Sequence, residues 1–512
     1  MLFLSGCLLG PNFKRPTTAV RAKWIESGQS QVDTVDEQPG EWWTVFKDPV
    51  LTRLIELGYL QNLSLRAAGT RVIEERAQLG IAIGEFYPQQ QQVTASVAYN
   101  RIPTSLPYPF IDNTYWQDAI GAQVGWEIDF WGKLRRGIES ADDTYLASVA
   151  SYDAALVTLT GDIATAYVQI RASQTQLEIA RENVQLQRDA LRIARARFSY
   201  GVVSERDVDQ ALNVLAATEA TLPQLTIQLQ QAKNRLSVLL GMPPGQLGEI
   251  LGRSTTIPIA PASIVVGIPA DLLRRRPDLR RAELQAAAQC AQIGFTKADL
   301  YPTFSIVGSI QTVASTVGSS GLSYLFNSSS LAYGVGPSVQ WNILNYGQIT
   351  NNVRLQDAKF QEMLINYQNA VLVAQQEVED GIVEFLESRR QATSLTASVR
   401  AAAGALNIAI IQYTDGIADF TTVLTAEENL YQAQNSLVLA QANIPLGLII
   451  AYRAMGGGWQ IRDDHDLLPS AIRSEMSRRT NWNGPLGPNL LQPRLPGLPG
   501  PSDAGPRIRL PE

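Results

Sequence analysis

Along this chain apolar residues alternate with small or polar ones in some stretches, and in others recur at steps of three and four. Ile120, Ala122, Val124, Trp126, Ile128 and Phe130 alternate with Gly121, Gln123, Gly125, Glu127 and Asp129. That is the period-two signature of a strand whose faces meet different surroundings. Leu331, Tyr333, Val335, Val339, Trp341 and Ile343 repeat it against Ala332, Gly334, Gly336, Ser338, Gln340 and Asn342. Weaker alternations precede each, through Val93, Ala95, Val97 and Tyr99 and through Phe304, Ile306 and Ile310. Steps of three and four run from Tyr152 through Leu156, Leu159, Ile163, Ala166 and Ile170, then Leu177, Ala180, Val184, Leu191, Ala194 and Phe198. They form a coiled-coil seam, and predict a helix from Gly132 to Phe198, roughly 100 Å long at a rise of about 1.5 Å per residue. It turns near Tyr200-Gly201 into a partner marked by Val208, Leu212, Leu215, Leu222, Leu229 and Leu236. A second pair is predicted from Gln348 to Gln412 and from Phe420 to about Tyr452, turning near Asp415-Gly416.

The two sets are copies of one unit, about 215 residues apart. Tyr87-Pro88 opens the first, whose strands are expected to end at Asp129-Phe130-Trp131-Gly132. Tyr301-Pro302 opens the second, ending at Leu344-Asn345-Tyr346-Gly347. This divides the chain into a short leader (1–7), an N-terminal segment with the first helices (8–86), the first repeat (87–240), a linker and helix (241–299), the second repeat (300–455) and a tail (456–512). The tail is dense in Pro, Gly, Arg and Asp without period, which predicts a segment either disordered or loosely wrapped on the rest of the chain. Pro223 falls inside a helical pattern and is expected to kink it, or else to break it.

The strands reach about ten residues, the length of a tilted span of the outer-membrane type. Trp126, Phe130, Trp131, Trp341 and Tyr346 crowd the ends that lead into the helices, and Tyr108, Phe110, Tyr115, Trp116, Tyr324 and Phe326 lie toward the other ends. Two aromatic groups one strand length apart resemble interfacial girdles, although a β-sandwich with aromatic corners uses the same pattern. Four strands cannot close a barrel around a lumen, so closure requires neighbouring chains. Helices whose remaining faces carry Gln, Asn, Thr, Arg and Glu fit either a cylinder of helices with wet walls or a two-stranded strut. No apolar stretch is expected to reach the roughly 20 residues of a membrane-spanning helix; the most apolar segment, Ile444 to Ala451, contains Pro445 and Gly447.

Composition narrows the chemistry. The chain has 48 acidic and 42 basic residues interspersed, so it offers no basic footprint for nucleic acid. One histidine (His465) and two cysteines provide no metal-ligand set and no Cys/His or Ser/His pair, and no cofactor or catalytic residue is expected. Leu4-Ser5-Gly6-Cys7 has the form of a bacterial lipobox, with Cys7 as the acylated residue. A basic leader is missing before it, which places the expected start upstream. Cys290, among Ala286, Ala287, Ala288 and Ala291, reads as a small core residue.

Flanking stretches identify a family. Cys7 to Pro16 reads Cys-Leu-Leu-Gly-Pro-Asn-Phe-Lys-Arg-Pro, followed by Trp42-Trp43 and Phe46-Lys47-Asp48-Pro49. Between the repeats stands Leu272-Leu273-Arg274-Arg275-Arg276-Pro277-Asp278, then Ala282-Glu283. Over residues 4 to 459 the chain resembles the TolC-like outer-membrane factors, of the NodT/OprM efflux lipoprotein type. Pro277 and Asp278 also read as a helix start, with proline at the first position and a carboxylate at the positive dipole end.

The resemblance implies an α+β membrane protein: a homotrimer whose twelve strands close one β-barrel in the outer membrane lipid of a Gram-negative bacterium. Below it an α-helical barrel would extend through the periplasm, with a mixed equatorial domain at its waist. It implies partners too, a periplasmic adaptor (membrane fusion) protein and an inner-membrane pump of the resistance-nodulation-division type, with drugs, dyes or solvents as cargo. In that family the gate lies where the hairpins converge, here 198–207 and 413–422. Gly201 and Gly416 mark the turns, Asp207, Asp415 and Asp419 are the local carboxylates, and Arg206, with Arg195 and Arg197, could pair with them. Asp419 equally suits a helix cap. Thr422 and Thr425 stand where TolC carries aspartates, which weakens an aspartate ring of that kind. A duct for secreted proteins and a non-conducting lipoprotein strut are the alternative readings.

Overall fold

The computed structural model describes residues 8–34, 40–103, 113–252, 254–267, 269, 275–317, 322–462 and 466–482. Its elements in order are β1 (Val32–Thr34), α1 (Pro49–Gln61), α2 (Leu63–Gly84), β2 (Gln90–Arg101), β3 (Thr114–Ile128), α3 (Lys133–Ser199) and α4 (Glu205–Leu239). There follow α5 (Gly248–Leu251), β4 (Ile264–Val266), α6 (Pro277–Lys297), β5 (Thr303–Ser315), β6 (Leu331–Gln340), α7 (Gln348–Thr414), α8 (Phe420–Ala454) and α9 (Ser470–Arg479).

The repeat is metrically strict. Helices α3 and α7 each hold 67 residues, α4 and α8 each hold 35, and all four boundaries recur at an offset of 215. The turns are matched as well. After α3, Gly201 N–H donates to Phe198 C=O and Val202 N–H to Arg197 C=O; after α7, Gly416 and Ile417 donate to Tyr413 and Gln412 in the same way. This paired closure needs a left-handed residue just past the helix end, and Gly201 (φ +69) and Gly416 (φ +75) supply it. Helix α4 continues through Pro223, so the proline does not break it. Neighbouring helices hold the backbone where the lost hydrogen bond would otherwise end it.

Strands β2, β3, β5 and β6 form one antiparallel sheet in that order, leaving β2 and β6 as open edges. The expected end of the second repeat's strand needs correction. β6 stops at Gln340, and 341–347 run as coil to Tyr346 (φ +47) and Gly347. There Trp341 turns aside to donate its indole N–H to Leu300 C=O at 3.1 Å.

The belt contains the main core. Asp48 caps α1 by accepting from Val50 N–H (2.8 Å) and Leu51 N–H (3.2 Å), and its second oxygen accepts from the Tyr167 hydroxyl (2.8 Å). Trp42 stacks on Tyr452 with ring centroids 6.0 Å apart, and buried Trp43 meets it edge-on. β1 and β4 pair in parallel, Val32 opposite Ile264. Helix α6 starts at Pro277 with Asp278 in its first turn. Buried Arg276, just before it, binds both oxygens of Asp278, Glu377 at 2.7 Å and Ala454 C=O at 2.8 Å. Burial alone would push the Asp278 carboxyl up, but Arg276 holds it below its ordinary value. Within this core α7 and α8 cross closely: a methyl on Gly381 would lie 2.6 Å from Ala451 N, and one on Gly447 2.6 Å from Phe385 N.

Two expectations change here. Helices α7 and α8 each contain a stretch long and apolar enough to span a membrane by composition. Single polar residues and Pro445 interrupt those stretches, and within the fold both helices serve as staves packed side by side. The tail is also ordered in part: Met476 of α9 and Leu468 just before that helix pack with Ile73 of α2. Residues 483–512 lie outside the described residues, as do Cys7, Tyr108, Phe110, His465 and 270–274.

Candidate functional site

The sheet separates two environments. Register places Val93, Ala95, Val97 and Tyr99 of β2 beside Ala122, Ile120, Asp118 and Trp116 of β3. The same face continues through Phe304, Ile306 and Ile310 of β5 and Val339, Val335 and Tyr333 of β6. Val93 is 82% exposed and Val335 81%, far more apolar surface than a face toward water would carry. The charged residues on this face are Asp118, between Val97 and Ala314, and Arg101 at the end of β2. The opposite face holds Gln90, Gln92, Thr94, Ser96, Gln117, Gln123, Ser309, Gln311, Ser338 and Gln340 with glycines between. Among the described residues of the four strands, Glu127 is the single charged group on this polar face. Trp126 and Ile128 point the other way, as the alternation predicts.

Two of the aromatic residues expected at one end of the strands, Phe130 and Trp131, pack on other rings at the junction with the helices. Phe130 meets Trp131 at 4.8 Å and Phe304 at 5.5 Å between ring centroids; Trp131 meets Tyr301 at 4.8 Å and donates its indole N–H to Pro302 C=O. Trp126 donates to Phe86 C=O, and Tyr346 is 95% exposed. At the far end Tyr99 lies 5.0 Å from Trp116. Asp129 is not a surface carboxylate. Its oxygens accept from Leu134 N–H (2.9 Å) and Arg135 N–H (3.0 Å) and from the Arg135 side chain, fastening strand β3 to helix α3.

The chain's first described residues reach this same junction. Leu9 N–H donates to Trp131 C=O at 3.2 Å. Buried Arg136 donates to Leu9 C=O at 3.0 Å and to Asn12 Oδ1 at 2.8 Å. Leu8 lies against Gly132, and Gly10 crosses the backbone of Gly294 so closely that a methyl there would be 2.4 Å from its Cα. From there the chain descends as an extended strap, through the Arg15–Glu283 ion pair (2.7 Å) and the Trp24 indole on Gly267 C=O (2.7 Å), to the belt. Cys290 is buried beneath it and directs its thiol toward Pro11 C=O, burial pushing that thiol up to about 11. Sequence reasoning gave Arg136 no role; nothing in its spacing tells a buried tie from a solvated arginine.

At the other end of the helices the tip residues divide. Arg206 pairs with its neighbour Asp207 at 3.7 Å, and Ser204 faces the same carboxylate. Asp415 is the C-cap residue of α7, and Asp419 is the N-cap residue of α8 without a side-chain cap bond. The expected carboxylate partner of Arg197 is replaced by a backbone one: Arg197 donates to Tyr413 C=O, and its guanidinium lies 4.4 Å from the centre of the Tyr413 ring. Tyr413 in turn packs on Phe420 at 5.0 Å. Burial pushes the Tyr413 phenol above its ordinary value, and its hydroxyl has no protein partner. This contact joins the last turn of α3 to the last turn of α7, linking the two hairpins. Around it an apolar cluster of Leu191, Ala194, Leu215, Leu406 and Val423 fills the lower wall. No group of metal-ligating side chains occurs among the described residues.

Residues 54–242 and 268–457 match the outer membrane efflux protein family model. Nodulation protein T of Rhizobium leguminosarum bv. trifolii is 29% identical over 459 residues, covering 90% of this chain and 96% of that protein. The solvent efflux pump outer membrane protein SrpC of Pseudomonas putida is 28% identical over 466 residues, covering 90% and 97%. The solved structure of the outer-membrane channel OprN superposes with a TM-score of 0.81 at 30% identity, covering 89% of this chain and all of that one.

Proposed function

Because the chain belongs to the outer membrane efflux protein family, we propose that three copies form the exit duct of a tripartite efflux system for small toxic molecules. The protein is an outer-membrane channel reaching into the periplasm, and it works with an adaptor and an inner-membrane pump. One observation carries the reading of the duct. A sheet with one apolar face, one Gln/Ser/Gly face and two open edges continues into helices of 67 residues. Closing those edges between three chains gives twelve strands around a polar lumen, which satisfies every backbone group within lipid. The exposed apolar side chains Ile408 and Ile411 near the foot of α7 then meet the next protomer.

In this reading the apolar strand face meets lipid, with Trp126, Phe130, Trp131, Trp341 and Tyr346 at the inner interface. Cys7 carries the acyl chain in this reading, and Leu8, which follows it in the chain, is held against Gly132 at that junction. The hairpin ends carrying Gly201, Arg206, Asp207, Asp415, Gly416 and Asp419 form the gate and the docking end. Energy comes from the pump, here of the resistance-nodulation-division type; the channel supplies a path and a gate. Cargo resembles the drugs, dyes and solvents of related systems, and the wide polar lumen leaves most selection to the partners.

Drug and dye susceptibility tests this in a strain lacking its own outer-membrane channel, complemented with this gene and its adjacent adaptor and pump genes. Restored resistance, lost again when charge is added at the hairpin tips, is the expected result. A trimer in the outer membrane without restored resistance would overturn the efflux role in favour of protein export.

A further inference from the structure

Glu427, on α8, stands in the lower wall near the hairpin tips. It is 3% exposed, and its Oε2 has no protein partner. Its helix contributes Val423 and Leu430 on the same face to the apolar cluster of the lower barrel. The pairs Asn183–Gln434 (2.9 Å) and Arg197–Tyr413 fix how α3 runs beside the second hairpin. Thr221–Tyr431 (3.4 Å) fixes α4, and Tyr413–Phe420 (5.0 Å) fixes α7. By these registers the residues level with Glu427 are Gln187 of α3, Thr218 of α4 and Leu406 of α7. Gln187 is itself buried, with an unpartnered Oε1.

The charged groups at this level all lie toward solvent. They are Arg188, Asp189 and Arg192 on α3, Glu219 on α4, Arg400 on α7 and Glu428 beside it on α8. Arg188 is engaged by Glu219 and Arg192 by Asp189. None reaches in to offset an ionised Glu427. A carboxylate without a partner is among the most costly groups to bury, and the neutral acid is the form such a place accepts.

Resting on the reading of the chain as a conduit, we propose that Glu427 is a proton-controlled latch in the lower barrel wall. Neutral, it permits α8 to lie against α3 and α4; ionised, it drives that contact open and releases the hairpin tip. Burial alone raises its carboxyl from 4.5 to about 7. The packed wall therefore holds the proton more tightly than a hydrated, loosened one. Its stability is undiminished below about 4.5, falls as pH rises toward 7, and stays low above that. The whole change favours the open form on the order of a hundredfold per protomer.

Full-length protein in planar bilayers, with Glu427→Gln as the neutral mimic, tests this through open probability between about pH 5 and about pH 8. Wild type should open increasingly up to about pH 7 and then level off, while E427Q stays closed throughout. Amide exchange over 420–430, as the ratio of wild type to E427Q, should rise over the same interval. An E427Q channel with the wild-type pH response, or an exchange ratio independent of pH, would overturn the latch. Absence of conductance in both proteins at every pH would instead fail the conduit, and the exchange ratio would still decide the latch.

Discussion

Arg197→Ala should unlock the periplasmic end. The side chain has two attachments, a charged donor on Tyr413 C=O and a guanidinium 4.4 Å from the Tyr413 ring centre. A hydrogen bond from a charged group is worth about 1.5–3 kcal/mol and a half-exposed cation–π contact about 0.5–1. With Arg197 half-buried and screened by solvent, the smaller ends apply, giving about 2 kcal/mol per protomer, or about a thirtyfold shift in population. The loss falls on the contact between hairpins and leaves both Gly turns intact, so the helices remain folded while the tip opens more often. Single-channel recording should show the increase, and cells should become sensitive to vancomycin, which a closed outer membrane excludes. Arg197→Lys should recover only part of the effect, because an ammonium is a point charge without the planar stacking face. Wild-type conductance and vancomycin resistance in R197A would refute the reasoning, and the tip would then be held by contacts between protomers.

Further outcomes follow from other parts of the molecule. Glu127→Gln should shift the reversal potential of the open channel away from cation preference at low salt. The shift should fade near 0.1 M, where screening acts over about 10 Å; an unchanged potential would place Glu127 off the lumen. Cys7→Ala should still yield a trimer in the outer membrane, because a closed barrel anchors more firmly than an acyl chain; recovery of that variant only in the soluble fraction would contradict this. Gly381→Val should cost about 1–3 kcal/mol by overpacking the crossing of α7 on α8. The temperature at which the trimer dissociates on a gel should drop, and an unchanged temperature would mean that the crossing relaxes at no cost.

What the sequence made legible was whatever repeats. The alternation from Ile120 to Phe130 needs only the pleat to put Trp126 and Glu127 on opposite faces, and the heptads from Tyr152 to Phe198 need only the helical pitch. Contacts between distant segments left no periodic trace. Arg136, Arg171 and Arg276 look like any other arginine, yet each is buried on carbonyls or carboxylates brought from far along the chain. The end of the last strand departs from the alternation for a related reason. Trp341 and Ile343 keep the alternation beyond Gln340, but an indole hydrogen bond to Leu300 and the Tyr346-Gly347 turn outweigh it. At the tip, the glycine turns were readable because their conformation demands glycine. The partner of Arg197 was not, because a backbone carbonyl has no identity in sequence. Glu427 escaped notice because a Glu on a helix is ordinarily solvated, and only the fold shows what surrounds it.

The equal lengths of the two hairpins constrain how such a chain can change. A heptad inserted into α3 and α4 alone would push one tip about 10 Å past the other at a rise of about 1.5 Å per residue. Arg197 would then lose the level of Tyr413, and the mouth of the tube would become a jagged rim of three long and three short teeth. Length can therefore vary only in concert, by the same number of turns in all four limbs of both copies. A related protein built for a deeper or shallower periplasm should differ from this one by matched insertions 215 residues apart, a spacing that works as a ruler cut twice into the same chain.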